Sequence, residues 1–256
     1  LYPTAALRAL ALHAQGLAAP DNNAATPGPE QILAAIEQIA ALQIDTLQMV
    51  RRSQYIALWS RLGRYDPADL DRLAYDPASR RLFEYWGHAA CYLPLSEYRY
   101  YLPRMKHMWE RSDHVDRWLA VPTNAEIMRQ VRERLASDGA VRGGDFEDSG
   151  PDRGNWWSWK PAKMALEYLF NGGEVMIANR VNFQRVYDLR ERVLPAWVDT
   201  SEPSADEATR HLTARAGRAL GAFSPGHAAD YLLQKRNAVK PVLDALQKEG
   251  IFHSIR

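Results

Sequence analysis

From Thr123 onward the chain lays down one order of elements and then starts the same order again. An internal repeat of that kind restricts the fold more than any single motif does. "TNAE" (123–126) reads as a capping box, in which a hydroxyl and a carboxylate satisfy the first free N–H groups of a helix. The helix "EIMRQVRERLA" follows, and Asp138-Gly139 closes it. Next come a short helical turn at "GDFED", a loop at "SGPDRGN" and the amphipathic "WWSWKPAKMALEYLF", stopped by Asn171-Gly172-Gly173. "EVMIANRVNFQRVYDL" alternates as two strands around a turn at 179–182. At Ser204 a second capping box, "SADE", opens a helix to Leu220. Ser224-Pro225 caps a short helix, "NAVKPVLDALQKEG" supplies a longer one, and "IFHSI" reads as a first wing strand. Helix, turn, helix, longer helix, hairpin is the winged helix-turn-helix plan. The expected fold is mainly α with small β wings (α+β), as tandem winged helix-turn-helix repeats in three modules: 1–120, 121–200 and 201–256.

The first module is a degenerate copy of the same plan. Thr4 caps a helix on which Leu7, Leu10 and His13 recur at helical spacing, and Gly16 ends it. Residues 18–29 read as a loop, and a helix near 30–40 carries Ile32, Leu33, Ile36 and Ile39 on one face. In "RSQYIALWSRLG" a helix turns Tyr55, Leu58, Trp59 and Leu62 inward, with Gly63 as its stop. "RRLFEYWGHAACYLP" is aromatic-rich and expected to be buried, with Glu84 and a buried, hydrogen-bonded His88 as its polar exceptions.

Composition narrows the partners. With a net charge of +1, any nucleic-acid surface must come from local segregation of the 32 basic residues. The single cysteine, Cys91, excludes a disulfide framework and a Cys-rich zinc site and suggests a reducing compartment. No run approaches the ~18 apolar residues of a membrane span, and no signal-peptide pattern stands at the N-terminus. A cytoplasmic monomer without cofactor or metal is expected. The chain opens on Leu1 rather than Met, so further residues are expected before it.

Between the helix at 30–40 and the one at 53–62 lies "ALQIDTLQMVRRS" (41–53). In a helix, Gln43 and Asp45 would point about 200° apart. In a strand they share one face while Leu42 and Ile44 turn to the core. The alternation favours a short strand that presents an amide beside a carboxylate. Taken alone, a lone Asp at a strand end is more often a turn former than a catalyst.

Other candidates are weaker. Arg180, Gln184 and Arg185 on the wing and Lys160 and Lys163 on the recognition-helix candidate could meet phosphates, or form an ordinary solvated face. Trp156, Trp157 and Trp159 could stack on bases, although core packing fits their place at a helix entry better. His13, His88 and His107 lack metal-ligand spacing.

Several stretches carry a family resemblance. They are "ALQIDTLQMVRRSQYIALWSRLGRY", "FEYWGHAACYLP", "GAVRGGDFED" and "WWSWKPAKMALEYLFNGGEVMIANRVNFQRVYDLRERVLPAW". In these the chain resembles the bacterial winged-helix DNA glycosylases of the AlkZ type, and within them the crosslink-unhooking YcaQ (AlkX) branch. The resemblance implies a Gln-x-Asp catalytic motif at Gln43 and Asp45, and Asp in place of a second Gln points to that branch. It further implies a basic concave surface for double-stranded DNA carrying alkylation damage or crosslinks. Arg51, Arg52, Ser53, Arg61, His88, Lys160, Arg180, Gln184 and Arg185 are the candidate DNA contacts. The resemblance also implies a β-rich region after the third module, and against that pattern 201–256 reads as a truncated winged helix with the β region missing. The alternatives are a winged-helix transcriptional regulator without catalysis and a protein-interaction scaffold.

Overall fold

In the computed structural model the residues described are 2–18, 26–110, 112–146 and 161–255. They form two compact units, one made of 1–100 together with 199–256 and the other of 101–198.

The first unit begins with α1 (Thr4–Ala14), α2 (Pro29–Ile39), β1 (Leu42–Gln43), α3 (Ser53–Leu62), α4 (Pro67–Tyr75), β2 (Leu82–Trp86) and β3 (Ala90–Pro94). Pro3, not Thr4, holds the cap position of α1, with a φ of −61° that its ring enforces and an extended ψ of 140°. α2 buries Ile32, Leu33, Ala35, Ile36 and Ile39 along one stripe, the spacing that defines its core-facing side. The three strands are antiparallel in the order β1-β3-β2. From α2 to β3 this is a complete winged helix, whose hairpin is the aromatic stretch 82–94. The hairpin packs Phe83, Tyr85, Tyr92 and Leu93 into the core. Glu84 is buried there and accepts a 2.5 Å hydrogen bond from the Tyr75 hydroxyl, which meets the Tyr92 hydroxyl at 2.7 Å. His88 differs from expectation: it is exposed, at the hairpin turn.

The second unit contains α5 (Leu102–Glu110), α6 (Asp113–Leu119), α7 (Pro122–Asp138), β4 (Val141–Arg142), α8 (Pro161–Asn171), β5 (Val175–Val181), β6 (Gln184–Leu189) and α9 (Arg190–Val193). Its sheet has the order β4-β6-β5, the same arrangement as in the first unit. α7 opens on Pro122 with Val121 at the cap, so "TNAE" makes no capping box; Asn124 instead donates to the Trp118 carbonyl at 3.0 Å. The wing turn sits at Asn182-Phe183, three residues beyond the start expected for it, because both residues adopt positive φ (50° and 68°) and close a two-residue hairpin. The Trp156, Trp157 and Trp159 cluster and Lys160 lie outside the described residues.

The chain then returns to the first unit with α10 (Ala205–Leu220), α11 (Pro225–Tyr231) and α12 (Arg236–Lys248). Ser204 caps α10 through the Glu207 N–H and Ser224 caps α11 through that of His227. The segment 251–255 forms no strand, contrary to the wing expected of it. Phe252 is turned inward instead, edge-on to Phe223 with ring centroids 5.2 Å apart. A five-residue strand needs a partner edge for its N–H and C=O groups, and here the aromatic pair anchors the segment on the helices.

That anchor depends on Gly217, since a Cβ built there would lie 2.5 Å from Phe252 Cζ and 2.8 Å from Phe223 Cζ. Gly217→Ala is expected to cost about 1–3 kcal/mol as overpacking, read as a lowered Tm in thermal denaturation, despite the higher helix propensity of Ala. An unchanged or raised Tm would show that 251–255 is not held this way.

Candidate active site

β1 is only two residues long, with Leu42 opposite Tyr92 and Gln43 opposite Cys91. The Ile44 N–H continues the ladder to the Ala90 carbonyl at 2.8 Å. Leu42 and Ile44 are buried, whereas Gln43 is exposed and Asp45 half-buried. The period-two alternation therefore turns amide and carboxylate to the same outward side.

His88 holds Gln43. Its Nε2 lies 3.0 Å from the Gln43 side-chain amide at Oε1, and its Nδ1 lies 3.2 Å from the Tyr231 carbonyl. A carbonyl only accepts, so Nδ1 carries a proton. Oε1 is the end of the Gln43 amide that meets the ring, which leaves the amide N–H group on the outward side. Tyr231 belongs to α11, and its hydroxyl also donates to the Ile39 carbonyl at 2.7 Å, tying the end of α2 to the helices that return from the far end of the chain.

Asp45 is fixed by its own loop. Its Oδ1 accepts the Leu47 N–H at 2.9 Å, an Asx turn that orients the carboxylate. The Asp45 N–H makes a long, 3.5 Å contact with Oε1 of Gln54, a fully buried side chain on α3. Gln54 Nε2 and Ser53 Oγ are buried and have no hydrogen-bond partner among the described residues. Cys91, opposite Gln43, is buried, and burial pushes its thiol up to about 11, so it stays protonated and is no nucleophile. Among the described residues no group of three or more His, Cys, Asp and Glu could hold a metal ion, and no helix is long and apolar enough to cross a membrane.

The remaining sequence candidates fall in different surroundings. Arg51 is exposed beside the Gln43/Asp45 segment, and Arg52 donates to the Thr46 carbonyl at 3.0 Å. Arg61 is turned into the fold: its Nε donates to the Gln15 carbonyl at 2.8 Å and its NH1 to the Ala57 carbonyl at 2.7 Å, joining α3 to the end of α1. In the second unit Arg185 is largely covered and places NH1 3.0 Å from both carboxylate oxygens of Glu167 on α8. Arg180 donates to the Phe183 carbonyl at 2.8 Å and lies over that ring, and Gln184 is exposed on β6. The structure thus brings Gln43, Asp45, Arg51, Arg52, Ser53 and His88 together in the first unit, while Arg61 serves mainly as a cross-brace.

Two contributors escape a reading of the sequence, Gln54 and Tyr231. Gln54 leaves a trace, for it stands four residues before the buried Leu58 on the inward stripe of α3, where an apolar residue is the rule. Tyr231 leaves none, because nothing local marks a tyrosine whose carbonyl meets a residue 143 positions away.

Two sheets of identical strand order, the first bearing an outward amide and carboxylate beside its opening strand, define a winged-helix protein with a candidate hydrolytic pair. The chain belongs to the AlkZ-like DNA glycosylase family, whose model matches residues 36–256. In fold it is similar to the DNA glycosylase AlkZ of Streptomyces sahachiroi, with a TM-score of 0.64 at 13% identity over 95% of this chain and 65% of that one. It therefore spans slightly less than two thirds of that protein's length.

The bracing role of Arg61 is testable. Arg61→Ala is expected to lower stability by about 1–2 kcal/mol through its two lost carbonyl hydrogen bonds, measured by denaturant unfolding. An unchanged unfolding midpoint would show that Arg61 does not brace α3 against the end of α1.

Proposed function

We propose that this chain is a monofunctional DNA glycosylase that hydrolyses the N-glycosidic bond of N7-alkylated guanine in double-stranded DNA, and that it unhooks interstrand crosslinks made through that atom as well as monoadducts. The observation that carries this reading is the placement of Gln43 and Asp45 on the outward side of one buried-edge strand, each oriented by a separate hydrogen bond, in a member of a DNA glycosylase family.

Alkylation at N7 leaves the base cationic, so it departs as a neutral molecule and needs no strong general acid. What the reaction lacks is a partner for the oxocarbenium-like sugar and a water at its anomeric carbon. Asp45 supplies both, as a carboxylate that takes a proton from the water and opposes the developing positive charge. Gln43 holds that water in line. With Oε1 held at the His88 ring, the amide N–H of Gln43 is left to donate a hydrogen bond to the water oxygen, while Asp45 takes the proton. Neither side chain can form a Schiff base, so the product is an abasic site in an unbroken strand. An exposed site also suits a crosslinked guanine, which cannot swing into a closed pocket because it is tethered to the opposite strand. Arg51 and Arg52 flank the pair as phosphate contacts, and they confer no sequence preference.

Asp45→Asn keeps the shape of the loop and removes the base. The single-turnover rate on an N7-methylguanine duplex is expected to fall by about 10²–10⁴, with duplex affinity within about twofold. A rate equal to that of the unaltered protein would remove Asp45 from the chemistry. Tight binding to undamaged DNA with no base release would favour the regulator reading.

His88 acts through Gln43 as a positioning residue. His88→Ala is expected to lower kcat by about tenfold with KM nearly unchanged, because the water is misplaced while DNA contacts persist. His88→Gln, which can still meet the amide, should recover part of the loss. A rise in KM alone would make His88 a DNA contact.

A further inference from the structure

The loop between β1 and α3 carries a surface that neither the proton chemistry nor the phosphate contacts use. Residues 46–51 are all exposed, and three of them are large and apolar: Leu47 at 73%, Met49 at 95% and Val50 at 85% of full exposure. Single exposed apolar residues are ordinary, but a run of this density at the apex of one loop is not. The loop is not slack at its base. The Leu47 N–H is held on Asp45 Oδ1, and the Arg52 guanidinium closes the exit on the Thr46 carbonyl. Those two bonds pinch the segment so that Met49 and Val50 form its tip.

Resting on the glycosylase reading, we propose that Met49 and Val50 are a wedge that enters the base stack beside the lesion and spreads the step, so that the anomeric carbon comes within reach of the water at Asp45. Reach supports this. Met49 is four residues from Asp45, so their Cα atoms are at most about 14 Å apart. That is about four base-pair steps at ~3.4 Å each along the duplex. Whatever sugar Asp45 acts on, the tip is therefore confined to its neighbourhood. Charge complementarity decides between DNA and other apolar partners, since the tip runs directly into Arg51 and Arg52, which suit the phosphates that flank an opened step. Unbranched Met and compact Val match the apolar side chains by which proteins partly unstack a step from the groove. A wedge also resolves the geometry of a crosslink. Spreading the step exposes the glycosidic bond while the tethered guanine stays between the strands, so no full extrusion is required.

The test pairs a fluorescence probe with a rate, using the full chain and its Met49→Ala/Val50→Ala double variant. Both side chains are solvent-exposed, so the variant should melt with the unaltered protein, which a thermal scan verifies. The substrate is a duplex with one N7-methylguanine and a 2-aminopurine next to it, whose fluorescence rises on unstacking. A second duplex has an abasic site opposite the lesion, so that the step is already loosened. The unaltered protein is expected to brighten the probe several-fold. The double variant should leave it dark and cleave the paired duplex about tenfold or more slowly, yet cleave the loosened duplex within about twofold of the unaltered rate. Equal brightening and equal rates on the paired duplex would overturn the wedge and leave the glycosylase reading standing. Brightening by the unaltered protein, lost in the variant, with no base released from either duplex, would overturn the glycosylase reading and leave the wedge.

Discussion

The candidate site depends on the burial of two side chains, Leu42 and Ile44, on one short strand. Their insertion beneath the β2–β3 hairpin fixes the register of the segment, and once register is fixed Gln43 and Asp45 have only the outward side available. A slip of one residue would bury the amide and the carboxylate and expose two aliphatic chains, at a cost set by both the lost burial and the unpaired polar groups. The hydrophobic core thus performs the first act of positioning, and the hydrogen bonds refine it.

The refinement draws on distant parts of the chain. His88 comes from the hairpin turn, and its other nitrogen is held by Tyr231 of the helices that return after residue 199. Gln54 lies beneath Asp45 from α3. The C-terminal helices thereby reach the Gln43 side chain through one carbonyl at the end of α11. A polar residue fixed from behind in this way spends little entropy on reaching a reactive geometry.

Much of this was legible in the sequence, and the reasons differ by element. The alternation of Leu42, Gln43, Ile44 and Asp45 is a local signal set by strand geometry, and the structure reproduces it. The α2 stripe and the stops at Gly63 and Gly139 are likewise local, since each needs only periodicity or a positive φ. Where tertiary contacts decide, local signals mislead. Trp59 reads as a core residue of α3 yet is 61% exposed, because the fully buried Gln54 and Leu58 define the inward side instead. "TNAE" has the letters of a capping box, but Pro122 starts the helix earlier and Asn124 finds the Trp118 carbonyl. The basic wing residues look free in the sequence, whereas Arg185 meets Glu167 and Arg180 folds onto Phe183.

The most direct measurement is a mass spectrum of an N7-methylguanine duplex incubated with the unaltered protein and analysed before any alkali. Release of free 7-methylguanine, with a full-length strand bearing one abasic sugar, is the result expected if water at Asp45 replaces the base. A strand already broken at the lesion would contradict it by requiring an amine nucleophile that the Gln43/Asp45 pair cannot provide. An unchanged duplex under stoichiometric protein would contradict the proposed hydrolysis altogether.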